Sequence, residues 1–295
     1  MTAMQISTAS ACAAVLETGH DRGELNPIYR ALEDPAAALP VPAVSDADLE
    51  LLTAHLTAPS VLVLAVQTST GTRRVRVGLH GERATVEEDN EKPGTEEPSQ
   101  WRWVPVTDVP QVIAQLLPAG PLAAPPLLTQ ESPGAALRLQ PEHFDQLRAL
   151  LEKGVAPAEA FAQLEGLDER LRDALTAQGD RASLSLTVHR RTNVAGDDDT
   201  DAQAGRTAAE SANFTRLWTV GELGMYRTDA PEASHVVQVL PVAPGDVLGT
   251  VLPLLEEGLS FALGVPAPPP ASAESHDDTS GSAAQDKNEN EVGDR

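Results

Sequence analysis

Arg73-Arg74-Val75-Arg76-Val77-Gly78-Leu79-His80-Gly81 alternates basic and apolar residues, then breaks at two glycines. Alternation with period two that ends in glycine reads as a half-exposed strand running into a turn. Val220-Gly221-Glu222-Leu223-Gly224 repeats the Val-Gly-x-x-Gly pattern 143 residues later. A second landmark recurs in the same order. Val104-Pro105-Val106 is matched by Leu240-Pro241-Val242, 136 residues on. Each Pro-containing strand end precedes a helical pattern, with Val112 and Leu116 corresponding to Leu248 and Leu252.

The flanking elements repeat as well. Ser45 and Asp46 are capping residues for a helix over 46–56, whose Leu49, Leu52 and Leu56 share one side. Strands are expected over 61–67, 74–79, 83–88 and 101–106, then a helix from Thr107 to Leu117, stopped by Pro118. After a Pro-rich stretch the order returns. Leu139–Leu151 is amphipathic, with Phe144, Leu147, Leu150 and Leu151 on one stripe, and shorter helices follow over 156–164 and 167–177. Strands are expected over 183–189, 214–220, 225–227 and 235–242, and a last helix over 244–263 kinks at Pro253. Two short matches alone can arise by chance, but the shared order of elements favours duplication. A period near 140 is too long for a solenoid. The expected fold is α+β: two halves related by a pseudo-two-fold axis, their strands joined in one antiparallel sheet of about eight, flanked by helices.

The boundaries follow. Residues 1–44 are an N-terminal helical and linker segment, with helices expected at 10–18 and 25–32. The first half is 45–118 and a Pro-rich linker is 119–138. The second half is 139–263, and 264–295 is a Pro-rich, then acidic tail expected to be disordered.

The 295 residues are 41% hydrophobic and 3% aromatic, so the core must be built from Leu, Val and Ala. Net charge is −23, and 82–97, 196–210 and 271–295 carry −5, −4 and −5 of it. The acid therefore describes loops and a tail, and a dedicated nucleic-acid binder is excluded. No apolar run reaches the ~18–20 residues a membrane helix needs, so no membrane insertion is expected. The first basic residue is Arg22, which argues against a secretory leader and for a cytoplasmic protein. One cysteine, Cys12, excludes a disulfide scaffold.

Sequence motifs for chemistry are missing. The seven histidines are scattered, with no HExxH, and Asp197–Asp201 lacks the glycine and closing glutamate of a calcium loop. There is no GxSxG and no lysine in Gly245–Thr250. No catalytic residue, metal or cofactor is expected, and the chain reads as a non-enzyme.

Arg73–Gly78, Glu82–Val86, Trp103–Val106 with the helix ending Leu116-Leu117-Pro118, and Trp218–Tyr226 before Val236–Val242 form a familiar succession. Over about 45–262 the chain resembles the EspG family of ESX (type VII) secretion-associated proteins of high-GC actinobacteria. The resemblance implies a pseudo-two-fold α+β fold and a cofactor-free cytosolic chaperone. Its partner would be a helical secreted substrate, a PE–PPE-like pair whose apolar tip it keeps soluble. An apolar tip needs an apolar patch rimmed by polar residues. Candidate surfaces are the loop 89–100 and the helices over 141–176. Candidate binding residues are Trp101, Arg102, Trp103, Leu147 and Leu171. A non-catalytic scaffold with another partner is the second reading, and an enzyme with a cleft between the halves the third.

Overall fold

The computed structural model describes residues 3–30, 43–91, 98–126, 135–192, 208–229 and 238–264. The tail after 264, residues 92–97 and 196–207 of the two internal acidic segments and part of the Pro-rich linker lie outside these residues.

Among the described residues the alternating segments form one antiparallel sheet of ten strands. In chain order they are β1 (Met4–Ile6), β2 (Ser60–Thr68), β3 (Gly71–Leu79), β4 (Arg83–Glu91), β5 (Ser99–Pro105), β6 (Leu137–Arg138), β7 (Arg181–Thr192), β8 (Ala208–Val220), β9 (Met225–Asp229) and β10 (Gln238–Val242). Among the described residues eight α-helices accompany them: α1 (Thr8–Glu17), α2 (Pro27–Arg30), α3 (Asp46–Leu56), α4 (Val109–Leu116), α5 (Pro141–Glu152), α6 (Pro157–Gln163), α7 (Glu169–Thr176) and α8 (Asp246–Ala262). Ser45 caps α3 by accepting from the Asp48 N–H, as its sequence position requires.

Across the sheet the order is β1-β5-β4-β3-β2-β7-β8-β9-β10-β6. Each half is thus a four-strand meander with a short strand, from the N-terminal side of that half, added at its outer edge. The strand order is the same in both halves. The edge strands β1 and β6 raise the count from the expected eight to ten. β1 also ties the N-terminal segment to the first half, pairing Met4 with Trp101 and Ile6 with Ser99.

Register corrects the spacing of the landmarks. Leu79 pairs Ala84 and Val220 pairs Met225, so each pair closes the hairpin after the second strand of its half. Leu79 and Val220 are therefore counterparts, 141 residues apart. Val104 and Val242, opposite Ala84 and Met225, are counterparts 138 apart. The sequence matches at 143 and 136 each differ by two residues from these topological spacings, a difference that keeps side chains on the same face.

The sheet is covered on both faces. Leu62, Leu64 and Val66 of β2, Val75 and Val77 of β3, Leu184 and Leu186 of β7 and Trp218 of β8 form one buried layer with Ile113 of α4 and Val247, Val251 and Leu255 of α8. Here α8 crosses the joint between the halves. A Cβ on Gly258 would come within 2.7 Å of Ser60 Oγ and 2.8 Å of Leu79 Cδ1, so glycine permits the close approach. On the opposite face, α1 and α3 bury Trp101, Ile6 and Leu52 over the first half. Over the second half, α6 and α7 bury Leu164, Leu167 and Leu171 against Tyr226 and Val239.

Candidate binding surface

The two helical layers on that face meet the solvent differently. α1 begins two residues after β1, and α5 begins three after β6, so the two helices hold corresponding places. α1 is capped by Ser7 and buries Ala11 through Val15 in succession. α5 opens at Pro141, and the His143 ring accepts from the Gln140 backbone N–H at 3.1 Å. Of its residues only His143 is buried. Leu147 and Leu150 are half-buried against the α6–α7 cluster. Phe144 and Leu151 are 46% and 42% exposed. Phe144, Leu147 and Leu151 stand at i, i+3 and i+7 and line a shallow groove with Arg148 and Glu152. An apolar strip with charged neighbours is the form a helix-docking surface takes.

α7 is anchored beside this layer by one carboxylate. Asp173 accepts from the backbone N–H of Glu222 (2.9 Å), that of Leu223 (2.8 Å) and the Tyr226 hydroxyl (2.9 Å). A Cβ at Gly221 would lie 2.3 Å from Asp173 Oδ2, which explains the first glycine of the second motif. In the first motif the reason differs: a Cβ at Gly78 would meet Thr85 Oγ1 at 2.5 Å. Burial, then the Asp173 hydrogen bond and charge, push the Tyr226 phenol up.

The first half seals a polar cluster instead of exposing an apolar strip. Glu87 of β4 is fully buried. Its carboxylate accepts from Thr8 Oγ1 of α1, Ser99 Oγ of β5 (3.1 Å) and the Tyr29 hydroxyl of α2 (3.3 Å), and pairs with Arg76 of β3 at 2.7 Å. His55 of α3, also fully buried, has Nε2 2.6 Å from the Tyr29 hydroxyl and Nδ1 2.9 Å from Thr85 Oγ1. Its ring meets Trp101 edge-on at 5.0 Å. Burial, then the charges of Arg76 and His80, hold its pKa down to about 3. His55 is therefore neutral at neutral pH, and its 3.7 Å approach to Glu87 is not an ion pair. Burial pushes the Cys12 thiol up to about 12, and Tyr29 is raised too, by burial and by Glu87. A thiol held so far up is inert at neutral pH. The cluster has the residue types of a catalytic site but is closed over by Cys12, Tyr29 and Trp101, all buried.

The residues expected to bind fall into two separate groups. Trp101 is buried, its Nε1 donating to the Ile6 carbonyl at 2.9 Å, so it offers no surface. Arg102 points to the other face and pairs with Glu88. Trp103 is half-buried, with the Arg83 guanidinium 4.1 Å above its ring and His80 5.8 Å away. Leu171 is buried in the α6–α7 cluster, and only Leu147 reaches the groove. β5 and α5 belong to opposite ends of the sheet, so these residues form no single patch. Of the loop 89–100, residues 92–97 lie outside the described residues. Phe144 and Leu151 were legible as part of a stripe, but which edge of that stripe faces solvent was not.

Among the described residues no cluster of three or more His, Cys, Asp or Glu side chains is placed to hold a metal ion, and no helix is long and apolar enough to cross a membrane. No protein-family model and no curated protein matches the chain. Among solved structures it is similar to the Mycobacterium tuberculosis type VII secretion system chaperone EspG5 in complex with the PE25–PPE41 dimer. Identity is 13%, 90% of this chain and 96% of that chain are covered, and the TM-score is 0.43.

Proposed function

We propose that this chain is a non-enzymatic cytosolic binding protein that holds an apolar helical segment of an export substrate on the α5 groove. The observation that carries the reading is the apolar strip of exposed Phe144 and Leu151 with half-buried Leu147 between them, where the corresponding helix α1 is sunk into its half. Its sequence resemblance to the EspG family names the client class, a PE–PPE-like helical pair. We further propose that the halves descend from a duplication, with the pseudo-two-fold axis through the Leu64–Leu184 pair at the middle of the β2–β7 ladder.

The test is affinity capture from the native cytosol with the full chain and with Phe144→Glu/Leu151→Glu. Burial of a Phe or Leu side chain stabilises by about 1.5–3 kcal/mol, so the double variant should lose client affinity at least about hundredfold. Both residues are solvent-exposed, so its unfolding free energy should stay within about 0.5 kcal/mol of the parent. A helical PE–PPE-like pair retained by the parent and lost by the variant supports the reading. Equal capture by both proteins sinks it. Apolar burial also resists salt, whereas exposed charge pairs are screened. A Kd that collapses by orders of magnitude between low and high salt would instead favour a scaffold bound through its acidic loops.

A further inference from the structure

We propose that residues 4–30 form a proton-sensitive latch, which releases from the first half in mild acid before the sheet unfolds and uncovers the outer edge of β5. The segment packs Ile6, Cys12, Val15, Leu25 and Tyr29 on Leu52, Leu56 and Trp101, Arg30 Nη2 lies 2.6 Å from His189 Nε2 of β7, and further polar contacts hold it. β1 covers the backbone of Ser99–Trp101. Asn26 donates from its backbone N–H to Leu56 (2.7 Å) and from Nδ2 to Ala58 (2.9 Å). Thr8 and Tyr29 reach the buried Glu87 and His55.

His55 is the group that makes this docking depend on protons. The titratable and charged groups around it are Cys12 of α1, Tyr29 of α2, Arg76 of β3, Glu87 of β4 and His80 of the β3–β4 turn. A second cation there would sit beside Arg76 in a dry site, with one carboxylate between them already accepting from Thr8, Ser99 and Tyr29. Protonation of both ring nitrogens also removes the one acceptor that the neutral ring offers to the hydroxyls beside it, Tyr29 at Nε2 and Thr85 at Nδ1. Water reaches His55 with least disruption by lifting residues 4–30, because Tyr29 of that segment lies on the His55 ring while β3, β4 and β5 are laddered to one another. The open form is favoured below the ordinary histidine pKa of 6.5, about tenfold per pH unit, until the closed form itself titrates near 3. Release leaves Trp101 and the β5 edge ready to accept an extended strand.

Hydrogen exchange of the full chain, read by mass spectrometry at several pH values and corrected for intrinsic exchange rates, tests this. Between pH 6.5 and 4.5 the opening constant of residues 4–30 and 99–101 should rise about fiftyfold, approaching one decade per pH unit at the acid end, while the β2–β7 ladder stays protected. His55→Gln should abolish that slope. Should His55→Gln not fold, the slope in the parent decides. Opening of the segment in step with β2–β7, a pH-independent opening, or a slope that survives in His55→Gln overturns the proposal.

Discussion

Arg76→Met should lower the unfolding free energy by about 3–5 kcal/mol, measured by urea denaturation at neutral pH. The variant keeps an unbranched apolar stem but leaves the Glu87 carboxylate fully buried without its cation. Thr8, Ser99 and Tyr29 still donate to it, yet neutral donors do not replace a guanidinium at 2.7 Å. The double variant Arg76→Met/Glu87→Leu separates the two contributions. It removes the orphaned charge and should recover much of the loss, since a buried pair replaced by apolar groups is often nearly neutral. A single variant costing under about 1 kcal/mol would show that water reaches Glu87.

Acid should destabilise the protein through His55 in particular. Its folded-state pKa of about 3 lies below the 6.5 of the unfolded chain, so the unfolded state binds more protons between those values. Stability is therefore fully present above pH 6.5 and falls as pH drops toward 3, by about 1.4 kcal/mol per unit at its steepest. Between pH 6.5 and 5 the unfolding free energy should drop by about 2 kcal/mol beyond the contribution of the carboxylates. His55→Gln, which cannot take up that proton, should show a correspondingly flatter profile. Equal slopes in both proteins would mean that another group supplies the dependence.

The parts of the fold legible in the sequence are those whose signal is local. Val75, Val77 and Leu79 alternate with Arg74 and Arg76 because one face of β3 packs under α4 and α8. Trp101 and Trp103 bracket Arg102, and the two tryptophans do share a face. β1 and β6 carry no such signal. With three and two residues they are too short to show a period, and they exist because β5 and β10 lie nearby to pair with them. The polar cluster was illegible for the same reason. Glu87 is 79 positions from Thr8 and 58 from Tyr29, and only the strand register brings them together. Trp101 was read as a binding residue because a large aromatic on an edge strand suits an interface, yet β1 and α1 cover that edge. The glycines at 78 and 221 were read as turn markers, whereas each is needed for space, against Thr85 in one half and Asp173 in the other.

The joint between the halves has a mechanical consequence. Eight consecutive residue pairs, from Ser60–Val188 to Gln67–Arg181, stitch β2 to β7, and α8 is seated across that seam on Ser60, Leu79 and Leu186. A seam made this way transmits torque and does not bend as a hinge between domains would. The α5 face is consequently offered at a fixed orientation to whatever docks on it. Little receptor ordering is then charged against binding, and conformational adjustment falls to the incoming helix. On the function proposed above, the protein would act as a rigid template, and selectivity among clients would rest on which of them can match a shape that does not yield.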